Sequence, residues 1–197
     1  MIIEDEFNKY VEESGGMIGA FSNSSRIMIS KYYQNTSPIR NILGSFLIPG
    51  CLYIFEYDNP NLDSYNSRPL FLSCGNYKNG TNTIEFGIDF SYIPPLQRPL
   101  LLFKIFKFFQ KDLDSNIKTW DEGVNRPSNI DLSRKNLKIV LNNDKLMDYI
   151  TRGYNQNSIK NLKLIGYHDW KYAILSDLSS FTEDFKVDIY GKFNKLK

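Results

Sequence analysis

One histidine, two cysteines and scattered carboxylates are the residues that could support covalent or metal chemistry. The histidine, His168, stands beside Asp169. A Ser-His-Asp or Cys-His centre needs a base held against a nucleophile. No serine sits in G-x-S-x-G spacing, so the pair reads as a surface or hydrogen-bonded histidine. A metal nuclease needs several carboxylates converging on one or two cations. Glu56, Asp58 and Asp63 crowd the end of one predicted strand, and Glu85 and Asp89 lie on another. Glu56 and Asp58 share a face, because strand side chains alternate. Glu56, Asp58 and Glu85 are the trio a metal-dependent nuclease would use. Carboxylates at strand ends suit solvated loops equally well, and no lysine follows in D…E-x-K spacing. Gly15-Gly16 leads into no Gly-Lys-Ser/Thr, so nucleotide hydrolysis has no motif. Cys51 and Cys74 are too few for a disulfide framework or a four-ligand zinc site. They read as small apolar residues in a reducing compartment. The expectation is a protein without catalytic residues, metal or cofactor.

The cations are better patterned. Lys104, Lys107 and Lys111 are spaced to share one stripe of a helix. Arg26, Lys31 and Arg40 give the N-terminal region a basic edge, and Arg98 precedes the lysine stripe. These seven are the candidate phosphate contacts. The stripe reads equally as the solvated face of a buried helix. Lys plus Arg is 24 against 22 Asp plus Glu, a net charge of +2. That excludes a general nucleic-acid coat but leaves room for local patches. The 13 Tyr and 14 Phe, in a chain 42% hydrophobic, can fill a core. Tyrosines could also stack on bases or anchor an interface.

The elements that position these residues follow from periodicity and punctuation. Apolar positions at Phe7, Tyr10 and Val11 predict a first helix before Gly15-Gly16. A second begins near Met17, capped by Ser22 or Ser24, and ends before Asn35-Thr36-Ser37-Pro38. Leu47-Ile48-Pro49-Gly50 is a turn, and Cys51 to Tyr57 a strand with apolar residues on both faces. Pro69 to Cys74 and Thr83 to Ile88 are two more strands, joined by an Asn79-Gly80 hairpin. A helix follows Pro94-Pro95 and runs to about Asp112. Residues 131–141 predict a short helix and then a strand. A helix spans 145–152 and a short strand 162–167. A last element begins at Asp169-Trp170 and runs to Phe181. The fold class is α+β, a small antiparallel meander packed against flanking helices. A chain of 197 residues is read as one domain. Its parts are a helical N-terminal arm (1–45), a sheet-plus-helix core (46–115) and an α+β C-terminal part (116–197). The first residues are acidic, unlike a secretory leader. The greasiest run, 99–109, is too short to span a bilayer. No membrane is expected.

Four segments, in order, carry a resemblance. Gly50-Cys51-Leu52-Tyr53-Ile54-Phe55-Glu56-Tyr57-Asp58 matches G-x-[ML]-Y-x-F-x-Y-D. Tyr65, Pro69 and Leu70 fit a tract like P-Y-Y-D-x-x-P-L, with Asn66 in place of the acid. Gly87 to Arg98, through Tyr92, Pro94 and Pro95, resembles G-x-N-x-x-Y-[LI]-P-P-x-x-R, with Asp89 for Asn. Trp170-Lys171-Tyr172-Ala173-Ile174-Leu175, with Phe181, is similar to a W-x-x-A-x-x-[LP]…F element through Trp170 and Ala173. Together these segments resemble the head-completion, or DNA end protector, virion proteins of T-even-like tailed bacteriophages. The resemblance implies a non-enzymatic structural protein of the virion, assembled in the host cytoplasm. It would act in the neck region, near portal or tail subunits and the packaged DNA end, inside a multi-subunit assembly. Gly50, Tyr53, Phe55, Tyr57, Asp58, Tyr65, Pro69, Tyr92, Pro94, Pro95 and Trp170 are its motif and interface positions. The alternative is a tail, neck or baseplate subunit that never meets DNA.

Overall fold

The computed structural model describes residues 3–33, 47–57, 68–113 and 132–177, with side chains to Phe108 in the third stretch. Two helices open the chain: α1 (Ile3–Glu13) and α2 (Met17–Met28), followed by a π-helical turn, Ile29–Tyr33. Then come β1 (Leu52–Tyr57), β2 (Leu70–Asn79), β3 (Asn82–Asp89) and α3 (Arg98–Leu113). The C-terminal part holds α4 (Arg134–Leu141), α5 (Asp144–Ile150), β4 (Thr151–Asn155), β5 (Ile159–Ile165) and α6 (Trp170–Leu175). The strands form one open antiparallel sheet, ordered β4-β3-β2-β1-β5. The architecture is α+β, as the sequence predicts. The meander is only its centre, however: β4 extends it beyond β3 and β5 beyond β1.

Alternation along β1 explains how the sheet is sandwiched. Leu52 and Ile54 join Leu70, Leu72 and Ile88 against the helices. Tyr53, Phe55 and Tyr57 point the other way, into a second cluster with Phe71, Tyr154, Leu47 and Cys51. On the helical side, Phe7 meets Phe103 edge-on at 5.3 Å and Tyr10 meets Tyr172 at 4.9 Å. Trp170 is 1% exposed, meets Phe106 edge-on at 5.5 Å and donates to the Ile165 carbonyl. Tyr10 Oη donates to the Ala20 carbonyl and lies 3.0 Å from Ser24 Oγ.

Several local predictions shift. Helix α2 starts at Met17 behind Gly16 and has no side-chain cap. Neither Ser22 nor Ser24 caps it, and Ser24 is buried within the helix. In the hairpin, Asn79 pairs with Asn82, so Gly80 and Thr81 make the loop. Gly80 has φ +61, the left-handed first position of a II′ turn that a Cβ would strain. The stretch before Leu141 is helical to its end, and Asn142, at φ 48, closes it in the left-handed region. Helix α5, capped by Asn143 accepting from the Leu146 amide, ends at Ile150 rather than Arg152. From Thr151 the chain pairs with β3 instead. The last helix closes at Leu175; Phe181 lies outside the described residues. No helix among the described residues is long and apolar enough to cross a membrane.

Candidate functional site

Past an irregularity between Ser73 and Gly75, β2 and β3 continue as a hairpin arm. Opposite it stand the first residue of α4, the last turn of α5 and strand β4. Tyr77, Phe86, Arg134, Asp148, Thr151, Arg152 and Gly153 line a cleft of about 400 Å³ between them. Gly153 lies beside the Tyr77 hydroxyl and is closely packed under Ile84. A Cβ at that position would fall 2.8 Å from Ile84 Cγ2 and 3.4 Å from the Tyr77 hydroxyl. Tyr77 is 51% exposed, and Phe86 packs half-buried against the core beneath. Arg134 Nη2 donates to Asp148 Oδ1 at 3.0 Å, in a solvent-exposed pair. Arg152 sits at the rim. Its guanidinium lies 4.1 Å from the Tyr92 ring centroid, and Nη1 donates to the Thr151 and Asp148 carbonyls. Planar cations beside an exposed ring can hold an oxyanion and a flat apolar body together.

The sheet's second face is a layer of aromatics and buried polar groups. Tyr154 contacts Phe55, Tyr57 and Phe71 edge-on at 4.7 to 5.2 Å. Its hydroxyl donates to Asp89 Oδ2 at 2.5 Å, while Asp89 Oδ1 accepts from the Ser91 amide. Burial raises the Asp89 carboxyl above its ordinary range, and these donors oppose the shift. Glu85 is 0% exposed. Its Oε1 accepts a long bond from the Leu47 amide at 3.4 Å, and Oε2 has no partner among the described residues. Burial pushes its carboxyl up to about 7. Ser73 Oγ on β2 is likewise buried without a partner.

The candidate cations separate sharply. Arg26 and Lys107 are exposed, and Lys104 is half-buried. Lys111 belongs to α3, but its side chain lies outside the described residues, as does all of Arg40. Lys31 is already paired with Asp169 at 2.5 Å, where Tyr32 also donates. Arg98 corrects its reading as a phosphate contact. It is 1% exposed, Nε donates to the Ile93 carbonyl and Nη1 to the Ser176 carbonyl. Burial lowers its guanidinium to about 10, with Asp89 opposing the shift. Arg98 ties the start of α3 to the end of α6, and solvent phosphate does not reach it.

Several motif positions are scaffold rather than outer surface. Gly50, at φ +83, enters β1 and donates its amide to the Ser73 carbonyl. Tyr53, Phe55, Tyr57 and Trp170 are buried within this chain, so they are not an exposed interface. Pro69 is buried before β2, and Pro94 and Pro95 lie buried and half-buried ahead of α3. Tyr92 is half-buried under Arg152. Asp58, Asp63 and Tyr65 lie outside the described residues. Glu56 bonds Asn161 and lies 3.9 Å from Arg68. It shares the face of Leu52 and Ile54, whereas Glu85 pairs with Tyr154 on the opposite face. The two carboxylates therefore do not converge. Among the described residues, no group of three His, Cys, Asp or Glu is placed to hold a metal. His168 is exposed, 3.7 Å from Glu6, and the Asp169 carboxylate serves Lys31 and Tyr32 instead.

The cleft was not visible to sequence reasoning. Arg134, Lys135, Lys138 and Lys145 are all exposed, and their density along α4 and α5 was the available signal. No family model, curated protein or solved structure matches the chain.

Proposed function

We propose that this chain is a non-catalytic bacteriophage virion protein of the head-completion or neck region, and that it contacts the packaged DNA end. The observation that supports this most is how the resembling segments meet in space. Within the first segment Leu52–Tyr57 is the interior strand β1, and Leu70 pairs with Ile54 on it. The Leu70 amide donates to Ser91 Oγ in the third segment. That segment ends at Arg98, which binds the Ser176 carbonyl at the end of the fourth. Four segments separated in sequence thus build one continuous framework.

Such a protein breaks no bonds. It needs a rigid scaffold and a few cations on phosphates. Exposed Arg26, Lys107, Arg134, Lys135, Lys138 and Lys145, with half-buried Lys104, supply those cations. The test is a gel shift on linear and circular duplexes of the same sequence across a salt series. End contact predicts binding to linear duplex that weakens with salt, and that weakens further in Lys104→Glu/Lys107→Glu. Absence of binding to either duplex at low salt would sink the DNA contact.

One observation favours a subunit held only by protein partners. Leu96, Leu100 and Phe108 are 53%, 58% and 43% exposed. Leu100 and Phe108 lie on the same side of α3 as Lys104 and Lys107, given the helical repeat, and Leu96 lies in the turn that leads into the helix. A mixed apolar and basic stripe of this kind suits a neighbouring neck, tail or baseplate subunit. In that reading the double charge reversal abolishes assembly and leaves no DNA phenotype to measure.

A further inference from the structure

We infer that the cleft between the β2–β3 arm and the start of α4 is a binding site for an unpaired nucleotide, with the base on Tyr77 and the phosphate on Arg134. The inference deepens the DNA-contact reading and rests on it for the choice of polymer. Its chemistry comes from the cleft alone.

Size comes first. A volume of about 400 Å³ falls within the range of small-molecule sites, roughly 300 to 1,000 Å³. The cleft holds one nucleotide and no folded domain. Next comes the ring. Among the described residues Tyr77 is the one aromatic side chain left more than half exposed. Its hydroxyl end lies beside Gly153 on the cleft wall. An exposed, positioned ring is what a base stacks upon, and any base will serve, because each has a π-face.

The cations fix the other end of the ligand. Arg134 is exposed, and its one described bond, to Asp148, is a solvent-exposed pair. Such pairs are weak and exchange readily, so the fork can turn to a phosphate bidentately. Arg152 is fixed at the rim by the Tyr92 ring and two carbonyls and adds positive potential. Lys135, Lys138 and Lys145 carry that potential outward along α4 and α5, against Asp144 and Asp148. A backbone entering the cleft therefore meets an excess of cations on its path. Duplex is excluded, because its bases are stacked on one another and leave no face for Tyr77. An unpaired end or overhang offers one.

Asp148 makes the inference sharply testable. It holds Arg134 and repels phosphate, so removing its charge must improve binding. A purely structural role for Asp148 predicts no gain.

The experiment measures fluorescence anisotropy of a labelled oligothymidylate with the purified full chain at low salt. Tyr77→Ala is expected to weaken binding tenfold or more, Tyr77→Phe to retain it, and Arg134→Gln to weaken it severalfold. Asp148→Asn is expected to tighten it. Thymidine monophosphate should compete far better than inorganic phosphate. All three substituted positions are exposed and line the cleft, and circular dichroism melts check that each variant folds. Unchanged affinity in both Tyr77→Ala and Arg134→Gln would overturn the inference, as would no binding by the folded wild type. Tighter binding of an acidic peptide with the same residue dependence would also overturn it and make the cleft a peptide site. Blunt linear duplex, read in parallel with Lys107→Glu, keeps the two readings apart. Oligothymidylate binding that depends on Tyr77 supports the cleft even if blunt ends are not bound. Blunt-end binding alongside oligothymidylate binding that ignores both Tyr77→Ala and Arg134→Gln overturns the cleft and spares the end contact.

Discussion

Glu85 should cost the protein stability at neutral and alkaline pH, and Glu85→Gln should remove that cost. The carboxyl is 0% exposed, accepts one long bond from the Leu47 amide, and leaves Oε2 without a partner among the described residues. Burial raises it from 4.5 to about 7. The folded chain therefore keeps this proton to a higher pH than the unfolded chain does. Across the window from about 4.5 to about 7 the folded state binds more protons, so stability falls as pH rises through it. Above about 7 both states are ionised and the loss is complete. At 1.36 kcal/mol per pKa unit, the full loss is roughly 3 kcal/mol. Glutamine has the shape of the protonated acid and cannot ionise. Its carbonyl can still accept from Leu47, and its NH₂ replaces a hydroxyl that was equally unpaired. Urea denaturation of wild type and variant at pH 5 and pH 8 isolates the effect, because every other titrating group is common to both proteins. The stability difference should be small at pH 5. At pH 8 the variant should be the more stable by roughly 3 kcal/mol. A difference that does not move between the two pH values would refute the reasoning. So would a variant that loses ground on going to pH 8.

Three further expectations follow from the sheet and its supports. Phe55→Ala opens a cavity in the aromatic layer and should cost about 3 to 5 kcal/mol in urea unfolding; a cost near zero would mean the layer collapses around it. Tyr154→Phe removes the donor at 2.5 Å from buried Asp89 and should cost about 1 to 3 kcal/mol, most at a pH where Asp89 is ionised. Arg98→Met breaks the bonds to the Ile93 and Ser176 carbonyls. It should lower the melting temperature, because two buried acceptors lose their donor, while a surface variant such as Arg26→Gln leaves it unchanged.

The centre of the fold is plain in the sequence, and the rim is not. In β1, apolar residues on both faces already require cover on both sides, and the structure supplies helices on one and the Tyr154 layer on the other. Pro94-Pro95 ahead of a long apolar run places α3 to within a few residues. Strand β4, Thr151-Arg152-Gly153-Tyr154-Asn155, shows no apolar alternation, because it is an edge strand that buries only Tyr154 fully. Only pairing with β3 makes it a strand. Arg98 looked like a surface cation because charge carries no record of burial; two carbonyls from distant segments decide its place. The cleft draws Tyr77, Arg134 and Gly153 from three separate regions, so no local pattern contains it. The aromatics of the resembling motifs were legible as important positions. That they fill this chain's own core, rather than a neighbour's, depends on the sheet order β4-β3-β2-β1-β5.

The most direct test of the DNA-end contact is a titration of the full chain against one plasmid in linear and relaxed circular form, from about 50 to about 200 mM salt. The account predicts a complex with the linear form that weakens steeply over that range and is weaker still in Lys104→Glu/Lys107→Glu. Equal binding to both forms, or none to either at the lowest salt, would contradict it.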